Sequence, residues 1–178
     1  CIIYFLAVGI SAHCLDAVGG KTKPWGALPK RKIFAVAIVA LGITFAIGLY
    51  YVFLDSPILL PIGIAEGFFL FAYNLELFGG RFHNNISTII SWGILPVFAG
   101  SAIQTNSISF ETIILSVISA LMTYFLITTS RRYKELKRDE GDLAKIKCKE
   151  TTLKIITLVV IIGTFSLFIF RIIQNSLI

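Results

Sequence analysis

Apolar residues along the chain fall into six runs, separated by short polar interruptions. The runs cover residues 1–10, 33–54, 58–78, 86–104, 108–129 and 153–170. Residues 33–54 carry no charge, which is long enough to cross a bilayer core as one helix. Asp55-Ser56-Pro57 predicts a tight turn, with proline at a helix start. The run 58–78 differs from its neighbours: Glu66 lies inside it, and Asn74 and Glu76 sit near its end. The run 86–104 is interrupted by Gly93, Pro96 and Gly100. Residues 11–32, 79–85 and 105–107 read as loops, and 130–151 as a charged amphipathic or solvated helix. The pattern predicts an all-α fold, a polytopic transmembrane helical bundle of about six spans. Residues 1–178 are expected to form one transmembrane domain, with 130–151 as a connector within it.

Composition agrees with that reading. The chain has 178 residues, 56% of them hydrophobic, and a mean hydropathy of +0.85, far above a soluble domain. It opens at Cys1, without an initiator Met and already inside an apolar run, so a fragment truncated within an N-terminal helix is expected. The formal net charge is +6. In a membrane protein such a balance first reports topology. Placing 11–32 in the cytoplasm puts 79–85 and 130–151 there too, and fifteen of the sixteen Lys and Arg then lie on one side, Arg171 being the exception. The expectation is a multi-pass protein of the cell membrane with its polar loops cytoplasmic. The basic residues flank spans, so lipid headgroups rather than nucleic acid are the expected partners of 131–150. Cys1, Cys14 and Cys148 show no paired spacing, and no disulfide is expected.

Two polar stretches carry candidate chemistry. The first, SAHCLDAVGGKTKP, covers residues 11–24. His13 and Asp16 are three apart and share a face at a helical end. Gly19 and Gly20 end that helix, and Lys21 and Lys23 follow. A carboxylate with Mg²⁺ can hold a phosphate whose remaining charge nearby Lys and Arg neutralise. The ordinary alternative is a glycine-capped helix end with topology-setting lysines. The second stretch, AYNLELFGGRFHNN, covers residues 72–85. On a helix Glu66, Tyr73 and Asn74 lie on one face, while Glu76 is displaced. Asn74 and Glu76 could offer oxygens to a hard cation, and Arg81 and His83 could contact phosphate. Gly79 and Gly80 would let the backbone turn close to a ligand. A glycine-capped helix end is again the alternative.

Glu66 is the one carboxylate deep in an apolar run, and ionised in lipid it would cost several kcal/mol. It is expected to face the bundle interior, be protonated or pair with a polar partner. Phe68, Phe69, Phe71 and Tyr73 crowd the run before the second stretch; they could wall an isoprenoid tail or pack against lipid. The chain lacks a GxSxG elbow, a P-loop, HExxH and Cys/His metal spacing, which disfavours hydrolase and NTPase readings.

Together these stretches resemble the UbiA-type intramembrane prenyltransferase superfamily, in which two Asp-rich motifs bind the Mg²⁺-diphosphate of an isoprenyl donor. Against the first motif, Asn-x-x-x-Asp-x-x-x-Asp, the chain reads Ala12, Asp16 and Gly20, keeping one acid. Against the second, Asp-x-Glu-Gly-Asp, it keeps Glu76, with Asn74 and Phe78 where aspartates stand. Lys21, Lys23 and Pro24 are similar to the basic stretch after the first motif, and Leu95-Pro96-Val97 to a Leu-Pro-Val step. The resemblance covers residues 11–100. It implies transfer of an isoprenyl group from a prenyl diphosphate to a lipid or aromatic acceptor, with Mg²⁺ as cofactor. Asp16 and Glu76 would be catalytic, and Asp16, Asn74 and Glu76 the metal ligands. Lys21, Lys23, Arg81, His83, His13 and Tyr73 would bind substrate. A non-catalytic homologue that binds a lipid diphosphate is the alternative, as is a small membrane transporter using Glu66.

Overall fold

The computed structural model describes residues 2–19, 28–139 and 142–176. Helix α1 is Ile2–Gly19, with π-helical winding over Phe5–Ala12. Helix α2 is Lys30–Leu54, α3 is Leu59–Asn74, and a 3₁₀ turn spans Leu77–Gly80. Helix α4 is Asn85–Thr105, with a second π stretch at Ile90–Ile94; α5 is Phe110–Arg138 and α6 is Leu143–Ser176. Five of these helices are long and apolar enough to cross a membrane. The exception is α3, whose 16 residues span only about 24 Å against a hydrocarbon core of about 30 Å. The chain divides into two compact units, Cys1–Thr123 and Tyr124–Ile178.

Two expected boundaries move. Residues 11–19 are helix rather than loop, because they bury a stripe against α2: Ser11, Ala12, Cys14, Leu15 and Ala17 are all buried. Their partners are Ile33, Ala37 and Leu41. Small residues let the two backbones approach, and Ser11 Oγ lies 3.1 Å from Ala37 O across that contact. Helix α3 ends at Asn74, four residues before the expected end, because Glu76 turns into the left-handed region.

In α4, Pro96 has no N–H with which to continue the ladder. Just before it the helix winds wider, the Leu95 N–H reaching back to Ile90 O. Gly93 sits in that stretch, where a Cβ would lie 3.0 Å from Ala120 Cα, so α4 and the first half of α5 pack backbone to backbone. A second apolar cluster, Leu59, Ile62, Ala99 and Ala102, joins α3 to the far half of α4.

The ends of the first unit sort cleanly. Lys30 Nζ donates to Val18 O at 2.8 Å, and Gly19 packs on the backbone of Asn74 and Leu75. Gly19, Lys30 and Asn74 therefore share one end. At the other end the Ile58 N–H approaches Asn106 Oδ1 at 3.5 Å. In the second unit, residues 124–138 of α5 and helix α6 carry exposed ion pairs such as Lys154–Glu150, at 2.7 Å. Within the expected connector at 130–151, α5 runs to Arg138 and α6 begins at Leu143, where Asp142 Oδ1 accepts the Ala144 N–H.

Candidate functional site

The two polar stretches meet at one point. A Cβ on Gly19 would overlap the carbonyl oxygen of Asn74 and lie 3.0 Å from Leu75 Cα. Only glycine fits there, so the end of α1 rests on the end of α3. Asp16 lies one turn before that contact and Glu76 one residue beyond it. Both carboxylates are exposed, and His13 shares the exposed face of Asp16, as its spacing predicts. Lys21 and Lys23 lie outside the described residues.

The loop after α3 is shaped by four consecutive or near-consecutive left-handed residues. Glu76 has φ 50°, Phe78 57°, Gly79 67° and Gly80 76°. Glycine adopts this region freely, whereas Glu and Phe pay roughly 1 kcal/mol each to do so. The strained backbone is held by local bonds. The Gly80 N–H donates to Glu76 O at 3.0 Å, and the His83 N–H to Gly80 O at 2.9 Å. Asn84 closes the loop: its Nδ2 donates to Arg81 O at 2.6 Å, and its Oδ1 caps α4 by accepting the Ser87 N–H at 2.9 Å.

Side chains fix the loop against α3. The His83 ring stacks on Tyr73, centroids 4.4 Å apart and planes 19° apart, with Nδ1 3.2 Å from Tyr73 O. Phe82 packs edge-on to Phe68 at 5.0 Å and to Phe78 at 5.8 Å. Arg81 is exposed. Phe68 and Phe69 thus support the loop. They are not among the residues lining the cavity described next, where an isoprenoid wall was one expectation for them.

Beneath the contact of α1 and α3 lies an apolar cavity of about 210 Å³ within the first unit. Its walls come from α1, α2, α3 and α4, including Val8, Phe45, Leu70 and Trp92. Both π-helical stretches contribute lining residues, and such stretches recur at functional sites. Asn74 and Glu66 line the cavity, but Tyr73 does not. Asn74 is buried, and its Nδ2 donates down the helix to Leu70 O at 2.7 Å. Glu66 faces the interior, as expected, and accepts from the Tyr4 hydroxyl at 2.7 Å. Tyr4 is a partner that no local pattern betrays, since 62 residues separate it from Glu66.

Mg²⁺ commonly binds through one or two carboxylates plus substrate phosphates, keeping several waters. Asp16 and Glu76, exposed at adjoining helix ends, fit that mode. A cage built from protein alone does not fit: among the described residues no three His, Cys, Asp or Glu side chains converge. Asn74 is buried, lines the cavity and is bonded to Leu70 O, whereas the two acids are exposed.

The model of the UbiA prenyltransferase family matches residues 17–176, and the chain belongs to that family. The match includes Asn74, Glu76, Arg81 and His83, and begins one residue after Asp16. No curated protein and no solved structure matches the chain.

Proposed function

We propose that this UbiA-family membrane protein transfers an isoprenyl group from a prenyl diphosphate to a lipid-soluble acceptor, at the end of the bundle where α1 meets α3. The observation that carries the proposal is the seat of Gly19 on Asn74 and Leu75, which sets Asp16 and Glu76 on either side of one contact, directly above an apolar cavity. A diphosphate at that contact and an isoprenyl chain in the cavity would use both surfaces.

Asp16 and Glu76 would hold Mg²⁺, which when bound supplies charge neutralisation to the diphosphate. Arg81 and His83, with His13, Lys21 and Lys23, would add positive charge around it. In the reaction the allylic C1–O bond breaks and its electron pair leaves with the diphosphate. The acceptor supplies the pair for the new bond to C1 and gives up a proton. Donors aimed at the departing oxygens favour that transition state, and the apolar walls keep water from the allylic cation. His83, held by its stack on Tyr73, presents its ring at a fixed place on the loop. The concentration of basic residues on one side in the sequence supports a cytoplasmic mouth.

The test is release of pyrophosphate by the purified protein from a labelled prenyl diphosphate with Mg²⁺ and acceptor. Asp16→Ala and Glu76→Ala should each lower the rate by about a hundredfold or more. Rates unchanged in both variants would remove the proposal. One observation favours a second reading, binding without turnover: Asn74 is buried with its amide bonded to Leu70 O, and Phe78 is exposed where a further carboxylate would help. Saturable diphosphate binding without product would select it. Orientation has its own probe. Cys14 is fully buried, so Cys148, which is exposed, is the thiol to label with an impermeant reagent after Cys1→Ser and Cys14→Ser. Labelling of intact cells from outside would reverse the orientation.

A further inference from the structure

The deep part of the cavity holds a second polar site, separate from the loop at its mouth. Besides the indole of Trp92, five polar side chains reach the wall. Three of them are turned back onto their own helices. Thr44 Oγ1 donates to Ala40 O at 3.0 Å, Asn74 Nδ2 to Leu70 O at 2.7 Å and Ser91 Oγ to Ser87 O at 2.8 Å. Tyr4 and Glu66 behave differently. They bond to each other between α1 and α3, Tyr4 donating to Glu66 Oε1 at 2.7 Å. Glu66 Oε2 has no donor among the described residues.

A carboxyl group in an apolar enclosure is stabilised only when donors reach it. Tyr4 supplies one, and the geometry leaves room for another. Gly48 and Gly63 line the same cavity, and a Cβ at either would meet nothing within 4 Å. Apolar pockets with a few convergent polar groups are the usual form of a small-molecule site, the apolar wall giving affinity and the polar group giving orientation.

We propose that Glu66 and Tyr4 are the recognition point for the hydroxyl of a lipid-soluble alcohol or phenol. Glu66 Oε2 accepts the ligand O–H while Tyr4 holds the carboxyl group in place, and the apolar walls take the ligand's body. Glu66 stands about 12 Å along α3 from Asn74, so the point lies well below the mouth. The site is complete without Asp16, Glu76 or a diphosphate and does not rest on the transfer reaction; its ligand would compete with an isoprenyl chain for the same cavity.

The experiment compares 4-hexylphenol with 4-hexylanisole, which has the same body but no O–H. Equilibrium binding to purified protein in detergent is measured for wild type, Glu66→Gln and Gly63→Leu. Glu66→Gln keeps an oxygen for Tyr4 and replaces the other acceptor with a donor. The phenol should bind wild type about tenfold or more tightly than the ether. Glu66→Gln should erase that preference, and Gly63→Leu, which fills the cavity, should abolish binding of both. Glu76→Ala should leave phenol binding unchanged, which separates failure of this inference from failure of prenyl transfer. Equal binding of phenol and ether to wild type would overturn the assignment. So would a preference that survives Glu66→Gln, or binding that survives Gly63→Leu. Thermal melting and gel filtration identify a variant that fails to fold. In that case Glu66→Met, which keeps the length and removes the acceptor, takes its place with the same expected loss.

Discussion

The end of α1 and the loop after α3 look alike in sequence, each a polar stretch closed by a glycine pair, yet they are built by opposite means. Residues 11–19 are helix, and their small side chains are buried against α2. There the polar groups at Ser11 and the carbonyl at Val18 are satisfied by a neighbouring helix and by Lys30. Residues 75–84 are held by their own backbone bonds, by left-handed residues and by aromatic stacking on α3. The first is a rigid shelf made by packing, the second a shaped loop made by local strain. A substitution that prevents packing should therefore harm the first most, and one that changes backbone preference should harm or help the second.

The largest effect is expected at the shelf. Gly19→Ala places a methyl group into the Asn74 carbonyl and close to Leu75 Cα, contacts with backbone that no rotamer can relieve. Overpacking of this kind costs about 2–3 kcal/mol, and it should lower the unfolding midpoint in detergent and separate Asp16 from Glu76, with loss of pyrophosphate release. Gly42→Ala is the matched control. Nothing lies within 4 Å of its added methyl, and helix propensity favours Ala by about 1 kcal/mol, so stability should hold or rise. If Gly19→Ala melts like Gly42→Ala, the shelf is not rigid.

The loop predicts a change of opposite sign. Glu76 is held at φ 50°, where a Cβ is disfavoured. Glu76→Gly should therefore be more stable than Glu76→Ala by about 1 kcal/mol, although both remove the carboxylate and both should lose pyrophosphate release. A position whose substitution stabilises the protein while removing its activity is one where strain is maintained for function. Equal melting of the two variants would mean that the loop relaxes when Glu76 is shortened, and that its shape depends on the side chain.

How much of this was legible follows the same division. The existence of the helices beyond residue 28 is readable from their long apolar runs, and the breaks at Asp55-Ser56-Pro57 and Asn106 mark two of their ends, whereas Gly79-Gly80 lies past the true end of α3 and the charged stretch 130–151 hides the ends of α5 and α6. The interior setting of Glu66 followed from the cost of a charge in lipid. The shelf reads as loop from its polar residues Ser11, His13 and Asp16, even though the spacing of His13 and Asp16 and the Gly19-Gly20 pair already read as a helix end. Ser11, Cys14, Leu15 and Ala17 form a helical stripe of small and apolar residues, the signature of close helix contact. The meeting of Gly19 with Asn74, the bond from Tyr4 to Glu66 and the cavity between four helices depend on contacts over tens of residues. Single-chain periodicity carries no record of such contacts. Asn74 and Glu76 pair as cation ligands in the spacing and in the likeness to the second motif; that Asn74 is buried while Glu76 is exposed beyond the early end of α3 is not marked along the chain.

The smallest expected effects compare how the two structures are closed. Asn84 ends the loop with two bonds, at 2.6 and 2.9 Å, one of them a side-chain cap on the first turn of α4. Removing such a cap costs about 1 kcal/mol. Lys30 closes the shelf with one exposed bond to Val18 O at 2.8 Å. A cation at an exposed helix C-terminus contributes about 0.3–1 kcal/mol, and salt screens it. Asn84→Ala should thus lower the unfolding midpoint more than Lys30→Met, and only the Lys30→Met effect should shrink as salt is raised. The order matters because the shelf has a buried interface to fall back on, whereas the loop has only half-exposed aromatic contacts with α3 beyond its own bonds. If Lys30→Met proves the more damaging, the end of α1 depends on that cation rather than on its packing against α2, and the contrast between the two stretches fails at its root.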